Sequence, residues 1–167
     1  MNNFQAKPEK LLNQEIEAAK EVIESGWYVL GEKVRNFEKN WAKKCGVSFS
    51  IGVGNGMDAI EIGLRSLNIG SGDEVLVQSL TYVASFQAIS ATGARPVACD
   101  IDPSTFTLDW RDAERRLTPH TKAVMLIHYA GGVGVLDEVY EFADRHSLRV
   151  IEDAAHAFGT KYKGELV

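Results

Sequence analysis

Apolar positions along the first 45 residues recur with the spacing of a helix. In KLLNQEIEAAKEVIES, residues 10–25, Leu12, Ile16, Ala19 and Ile23 share one face, and Gly26 ends the run. A second helical pattern gathers Val34, Phe37, Trp41 and Cys45 and stops at Gly46. The loop between them, GWYVLGEKV, carries two aromatics, Trp27 and Tyr28. Residues 1–45 thus read as an N-terminal helical segment, and 46–167 as a region of another kind.

In that second region the rhythm changes. Short β-prone runs fall at Ser50–Val53, Glu74–Val77, Pro96–Ala98, Ala123–Ile127 and Arg149–Ile151. Helical patterns separate them at Asp58–Leu67, Val83–Thr92, Asp109–Leu117 and Leu136–His146. Asp109 reads as an N-cap, with Asp112 as its partner at the third helical position. Strand and helix alternate at roughly 25-residue spacing, the mark of an α/β fold with a mostly parallel sheet. The runs VMLI and RVI are apolar without alternation, as expected when helices cover both sheet faces in a three-layer sandwich. The closing TKYKGELV reads as the first strand of a hairpin.

Composition narrows the class. The chain has 167 residues, 45% apolar and 25% charged, which suits a globular domain with a real core. A net charge of −5 gives no reason to expect nucleic acid or an anionic membrane as partner. Cys45 and Cys99 stand far apart in no metal-binding or redox spacing, so free thiols, a cytoplasmic location and no metal are expected. No apolar run approaches a membrane span, and the opening MNNFQAKPEK lacks the apolar centre of a signal peptide.

Ligands of open α/β sheets gather beyond the carboxyl ends of the strands. Four stretches follow predicted strands: GVGNGMDA, QSLTYVAS, LIHYAGG and IEDAAHAFG. In the first, Gly54 and Gly56 let a ligand approach the backbone. The N–H groups of Gly56, Met57 and Asp58 open a helix and would attract a phosphate. Taken alone, the stretch also reads as an ordinary tight turn. Tyr82 opens the next helix, where it stacks on a planar ligand or fills the core. His128 and Tyr129 end an apolar strand before glycines, as pocket wall or as helix packing.

IEDAAHAFG carries the most chemistry. Alternation along a strand sends Glu152 and Asp153 to opposite faces, so they are not expected to act as a paired dyad. A single buried carboxylate needs a cationic or hydrogen-bonding partner. Pyridoxal phosphate offers one, because its pyridine nitrogen draws electrons well only when protonated opposite a carboxylate. Its phosphate wants a helix N-terminus and its ring a stacking face. His156 would bond the ring hydroxyl. The bland alternative has Asp153 capping a turn and His156 satisfied in the core.

GWYVLGEKVRNFEKNWAKKCGV, GVGNGMDAIEIGLRSLNIGSGDEVLV, TGARPVACDIDPSTFTLD, LTPHTKAV and VIEDAAHAFGTKYKGE, in this order and spacing, resemble the DegT/DnrJ-type sugar aminotransferases. The resemblance implies a pyridoxal-phosphate-dependent transferase of fold type I, of which this chain carries part of the large domain. It implies Asp153 on the pyridine nitrogen, His156 (glutamine in many relatives) on the ring oxygen, and Tyr82 on the ring face. The backbone of Gly56, Met57 and Asp58 would hold the phosphate. Many relatives have threonine at position 57, so that hydroxyl is missing here. Trp27, Tyr28, Leu30 and Gly31 match a loop near the substrate, and His128 and Tyr129 match the pocket wall.

The implied reaction moves an amino group from glutamate to a keto-sugar of a nucleoside-diphosphate sugar, in a homodimer or with a complementing C-terminal half. The family's Schiff-base lysine and small C-terminal domain would lie beyond residue 167. Lys161 and Lys163, in an exposed hairpin, do not replace that lysine. A sugar dehydratase of the same family and a non-catalytic binding module are the alternatives.

Overall fold

The computed structural model describes residues 6–167; the first residues of the opening segment, MNNFQ, lie outside the described residues. The chain divides into two compact units between Gly52 and Val53.

The first unit holds α1 (Glu9–Ser25) and α2 (Glu32–Cys45). Each ends at a glycine in the left-handed region, Gly26 at φ 66° and Gly46 at φ 70°, where other residues would be strained. Lys43 and Lys44 face the negative end of the α2 dipole. No residue of α1 is buried, and in α2 only Ala42 is.

The expected strand at Ser50–Val53 does not form; among the described residues the segment belongs to no sheet. Gly52 N–H donates instead to Glu38 Oε1 at 2.7 Å, and Phe49 and Ile51 stay exposed. β-propensity alone does not make a strand without a neighbouring ladder.

The second unit is the three-layer α/β sandwich the sequence predicts. β1 (Glu74–Gln78), β2 (Arg95–Cys99), β3 (Thr121–Ile127) and β4 (Arg149–Asp153) form one parallel sheet in the order β2-β1-β3-β4. Pro96, which has no N–H, sits on edge strand β2 opposite Val75. Alternation splits the sheet residues between two cores. Val75, Val77, Ala123, Met125 and Ile151 meet α3 (Gly56–Ser66) and α4 (Val83–Ala91) on one face. Leu76, Val124, Leu126 and Val150 meet α5 (Trp110–Arg115) and α6 (Leu136–Arg145) on the other. β1 and β3 are buried almost throughout because helices cover them on both sides.

Asp109 caps α5 as expected, accepting from Arg111 N–H at 2.9 Å. Asp112 does not close a capping box. Its carboxylate accepts from Asp100 N–H at 2.8 Å, from Arg116 Nε at 2.5 Å and from Arg115 at 2.9 Å. The Asp109 N–H that a box would need already donates to Asp100 O. TKYKGELV supplies both strands of a hairpin: β5 (Lys161–Tyr162) pairs antiparallel with β6 (Glu165–Leu166). Lys163 (φ 51°) and Gly164 (φ 94°) make the tight turn, as a two-residue hairpin loop of this twist requires.

Candidate functional site

The order β2-β1-β3-β4 reverses direction between β1 and β3: the chain leaves β1 toward β2 and returns on its other side. A crevice opens at such a switch point, beyond the carboxyl ends of the strands. A cavity of about 330 Å³ lies there. Leu80, Thr81 and Tyr82 wall it from the end of β1, Ile127 and Tyr129 from β3, and Asp153, Ala155 and His156 from β4.

Asp153 ends β4 with the same facing as Ile151, so its carboxylate turns to the cavity. Ala155 N–H donates to its Oδ1 at 3.0 Å, and Oδ2 has no partner among the described residues. The Asp153 carbonyl accepts from His128 N–H at 3.1 Å, which ties the ends of β4 and β3 together.

His156 Nδ1 accepts from Ala130 N–H at 3.4 Å, so the ring N–H is on Nε2. Tyr129 packs edge-on against it, with ring centroids 6.1 Å apart. Tyr82, the N-cap of α4, is 78% exposed, with its ring open to a ligand.

The glycines after Tyr129 do not form a loose turn. Gly131, at φ 84°, packs close to His156 O, and Gly134, at φ 64°, lies against Thr107. The loop is thereby pressed onto the His156 segment.

His128 is not on the cavity wall, and the expectation that it lines the pocket is corrected. It is 1% exposed, and its Nε2 lies 2.7 Å from Glu152 Oε2. Tyr140 of α6 donates to the other oxygen, Glu152 Oε1. His128 stands one residue past Ile127, and alternation turns it toward the α6 layer. The His128 hydrogen bond is the main influence holding the Glu152 carboxyl below its usual range; burial opposes it and Tyr140 adds to it. Burial first, then Glu152, pushes the Tyr140 hydroxyl well above its usual range. Glu152 and Asp153 thus point to opposite faces.

The first turn of α3 lies outside the cavity wall. Asn55, unremarked in the sequence, caps α3: its Oδ1 accepts from Asp58 N–H at 2.9 Å, and its Nδ2 donates to Asp58 Oδ2 at 3.0 Å. Of the three N–H groups expected to form a cradle, that of Asp58 is thus already engaged by Asn55, while helix geometry leaves those of Gly56 and Met57 without helical partners. A Cβ at Gly56 would meet nothing within 4 Å, so open space fronts that turn. Met57 packs on the cluster that contains Ile127.

Sequence reasoning also missed Gln78. Wholly buried at the end of β1, it donates to Leu80 O at 2.9 Å and accepts from Ile127 N–H at 3.2 Å, stapling two walls of the cavity. A lone amide closing an apolar strand was the available signal. Tyr140 left no such signal, because its role depends on how α6 packs.

Trp27, Tyr28, Leu30 and Gly31 belong to the first unit. Trp27 Nε1 donates to Val29 O at 2.8 Å, and the Arg35 guanidinium stacks 5.0 Å from its ring. Tyr28 donates to Ile23 O at 3.0 Å. Leu30 holds a left-handed φ of 51°, and Gly31 caps α2. Among the described residues no group of acidic, histidine and cysteine side chains is placed to hold a metal, and no helix is long and apolar enough to cross a membrane.

Comparison with known proteins gives a consistent result. The family model of the DegT/DnrJ/EryC1/StrS aminotransferases matches residues 9–167. A dTDP-3-amino-3,6-dideoxy-alpha-D-galactopyranose transaminase of Aneurinibacillus thermoaerophilus is 44% identical over 151 residues, covering 90% of this chain and 42% of that protein. The structure of Streptomyces venezuelae DesV superposes with a TM-score of 0.90 at 43% identity, over 95% of this chain and 43% of the other. Ntda from Bacillus subtilis with bound cofactor PMP superposes with a TM-score of 0.89 at 30% identity, over 94% of this chain and 36% of the other. The chain spans about two-fifths of the length of such relatives. It belongs to the DegT/DnrJ/EryC1/StrS aminotransferase family.

Proposed function

We propose that this chain carries the cofactor-binding half of the site of a pyridoxal-phosphate-dependent nucleotide-sugar aminotransferase. The amino donor is glutamate, the acceptor is the keto-sugar of a nucleoside-diphosphate sugar, and the working form is a homodimer. The observation that carries this reading is the meeting of Asp153, Tyr82 and His156 on one cavity at the switch point, with no partner for Asp153 Oδ2 among the described residues.

The residues present fit the cofactor. Asp153 offers an acceptor for a protonated pyridine nitrogen, Tyr82 offers a ring face, and His156 Nε2 offers a donor for the ring oxygen. Gly56 and Met57 offer two N–H groups at a helix N-terminus for a phosphate. When bound, the cofactor supplies the electron sink that amino transfer needs. This chain's own contribution is to hold the ring and keep its nitrogen charged.

Neither Lys161 nor Lys163 is among the residues lining the cavity, and Lys163 instead pairs with Asp137. Tyr129 and the loop of Trp27, Tyr28, Leu30 and Gly31 are proposed to contact the sugar substrate.

Titration with pyridoxal 5′-phosphate, read by absorbance, tests this. Asp153→Asn keeps the shape and removes the charge, and should weaken binding by about 1.5–3 kcal/mol. Equal binding by wild type and variant would remove the basis of the reading. With the full protein, amino transfer from L-glutamate should fall further in Asp153→Asn than cofactor binding does, because the charge matters most when the ring draws electrons.

A further inference from the structure

Glu152 has no part in the cavity, yet it is held by two separate elements. His128, at the end of β3, is buried to 1% exposure and reaches Glu152 Oε2 at 2.7 Å. Tyr140, on α6, donates to Glu152 Oε1. The two donors occupy different carboxylate oxygens, which fixes the side chain in rotation as well as in place. Asp153 is the next residue along, and its carboxylate must face the cavity.

Among the described residues β4 pairs with β3. Its last paired residue is Asp153, opposite Ile127. Beyond its last paired residue a strand can twist and fray, so a grip beside that residue helps to fix its facing. Side chains alternate along a strand, so gripping Glu152 on the α6 face turns Asp153 to the cavity face.

We propose that Glu152, held by His128 and Tyr140, is a positioning residue that fixes the facing of Asp153. The proposal rests on the reading of Asp153 as the residue that binds pyridoxal phosphate. Glu152→Gln is expected to be mild: its carbonyl accepts from His128 while its amide donates to the Tyr140 oxygen, which accepts as well as donates. Glu152→Leu keeps the bulk and loses both grips.

The test is a titration of the full chain with pyridoxal 5′-phosphate, with circular dichroism and melting to establish the fold of each variant. Glu152→Leu should bind about tenfold more weakly than wild type, Glu152→Gln within about threefold, and Tyr140→Phe about threefold more weakly. The deciding measurement is the double variant. If Glu152 acts through Asp153, then Glu152→Leu adds nothing on an Asp153→Asn background, whereas a general loosening of the site would multiply the losses.

A weak-binding Asp153→Asn beside an unaffected Glu152→Leu, or losses that multiply in the double variant, overturns the positioning role alone. An Asp153→Asn that binds as wild type removes the reading beneath it, and the positioning role with it. Should Glu152→Leu fail to fold, Tyr140→Phe carries the same comparison, since Tyr140 is 41% exposed and the change removes only a hydroxyl.

Discussion

A methyl group at position 134 would lie 2.0 Å from Thr107 Oγ1, and Gly134 already sits at φ 64°. Both facts demand glycine there. Gly134→Ala should destabilise the protein by on the order of 2 kcal/mol or more, from left-handed strain plus overlap with a buried threonine. A melting curve measures it, and an unchanged melting temperature would mean that the loop is not pressed onto Thr107. The cysteines differ just as locally. Burial first, then the Asp112 charge, pushes the Cys99 thiol up to about 12, and it is 1% exposed. Cys45 is half-buried. Alkylation of the native protein near pH 8 should therefore modify Cys45 and spare Cys99. Peptide mapping decides this, and equal labelling would mean that the β2 edge opens readily.

Element by element, the sequence showed most where a pattern has one physical solution. Uninterrupted apolar runs such as VMLI fit between two helical layers, and alternation already sent Glu152 and Asp153 to opposite faces, as the structure has them. It showed less where the answer depends on a distant partner. Ser50–Val53 has strand composition and no ladder among the described residues. Asp112 has a capping position, but Asp100 and two arginines claim its oxygens. His128 has a strand-end position, but its facing sends it to Glu152. For α3 the unread residue was Asn55, the cap that engages Asp58. Asn55→Ala should cost about 1 kcal/mol of stability, seen in chemical unfolding. The N–H groups of Gly56 and Met57, proposed above to take the phosphate, remain, so binding of pyridoxal phosphate should weaken far less than in Asp153→Asn. A loss as large would show that the cap orients the phosphate donors.

At the scale of the whole chain, ionised carboxylates are held at several corners of the second unit. Glu74, 7% exposed in its side chain, ties β1 to Arg95 and to Thr118 and Thr121. Burial alone would push its carboxyl up, but those donors outweigh burial and leave it below the usual range. Hydrogen bonding from Arg116 leads the influences that hold Asp112 low. His128 leads those that hold Glu152 low. A carboxyl whose folded pKa lies below its unfolded value binds protons more weakly when folded. Its stabilisation is therefore complete above the unfolded value, about pH 4, and is lost as pH falls through the lowered folded value. With several such groups shifted in one direction, their losses add on acidification. Unfolding free energy, measured by denaturant titration at a series of pH values, should be flat near neutrality and fall steeply below about pH 4. Asp112→Asn should lower stability at pH 7 and flatten that fall, because one of the shifted groups no longer titrates. If the variant keeps the wild-type steepness, the contribution of Asp112 is not electrostatic, and its oxygens act only as acceptors for the Asp100 N–H and the arginines.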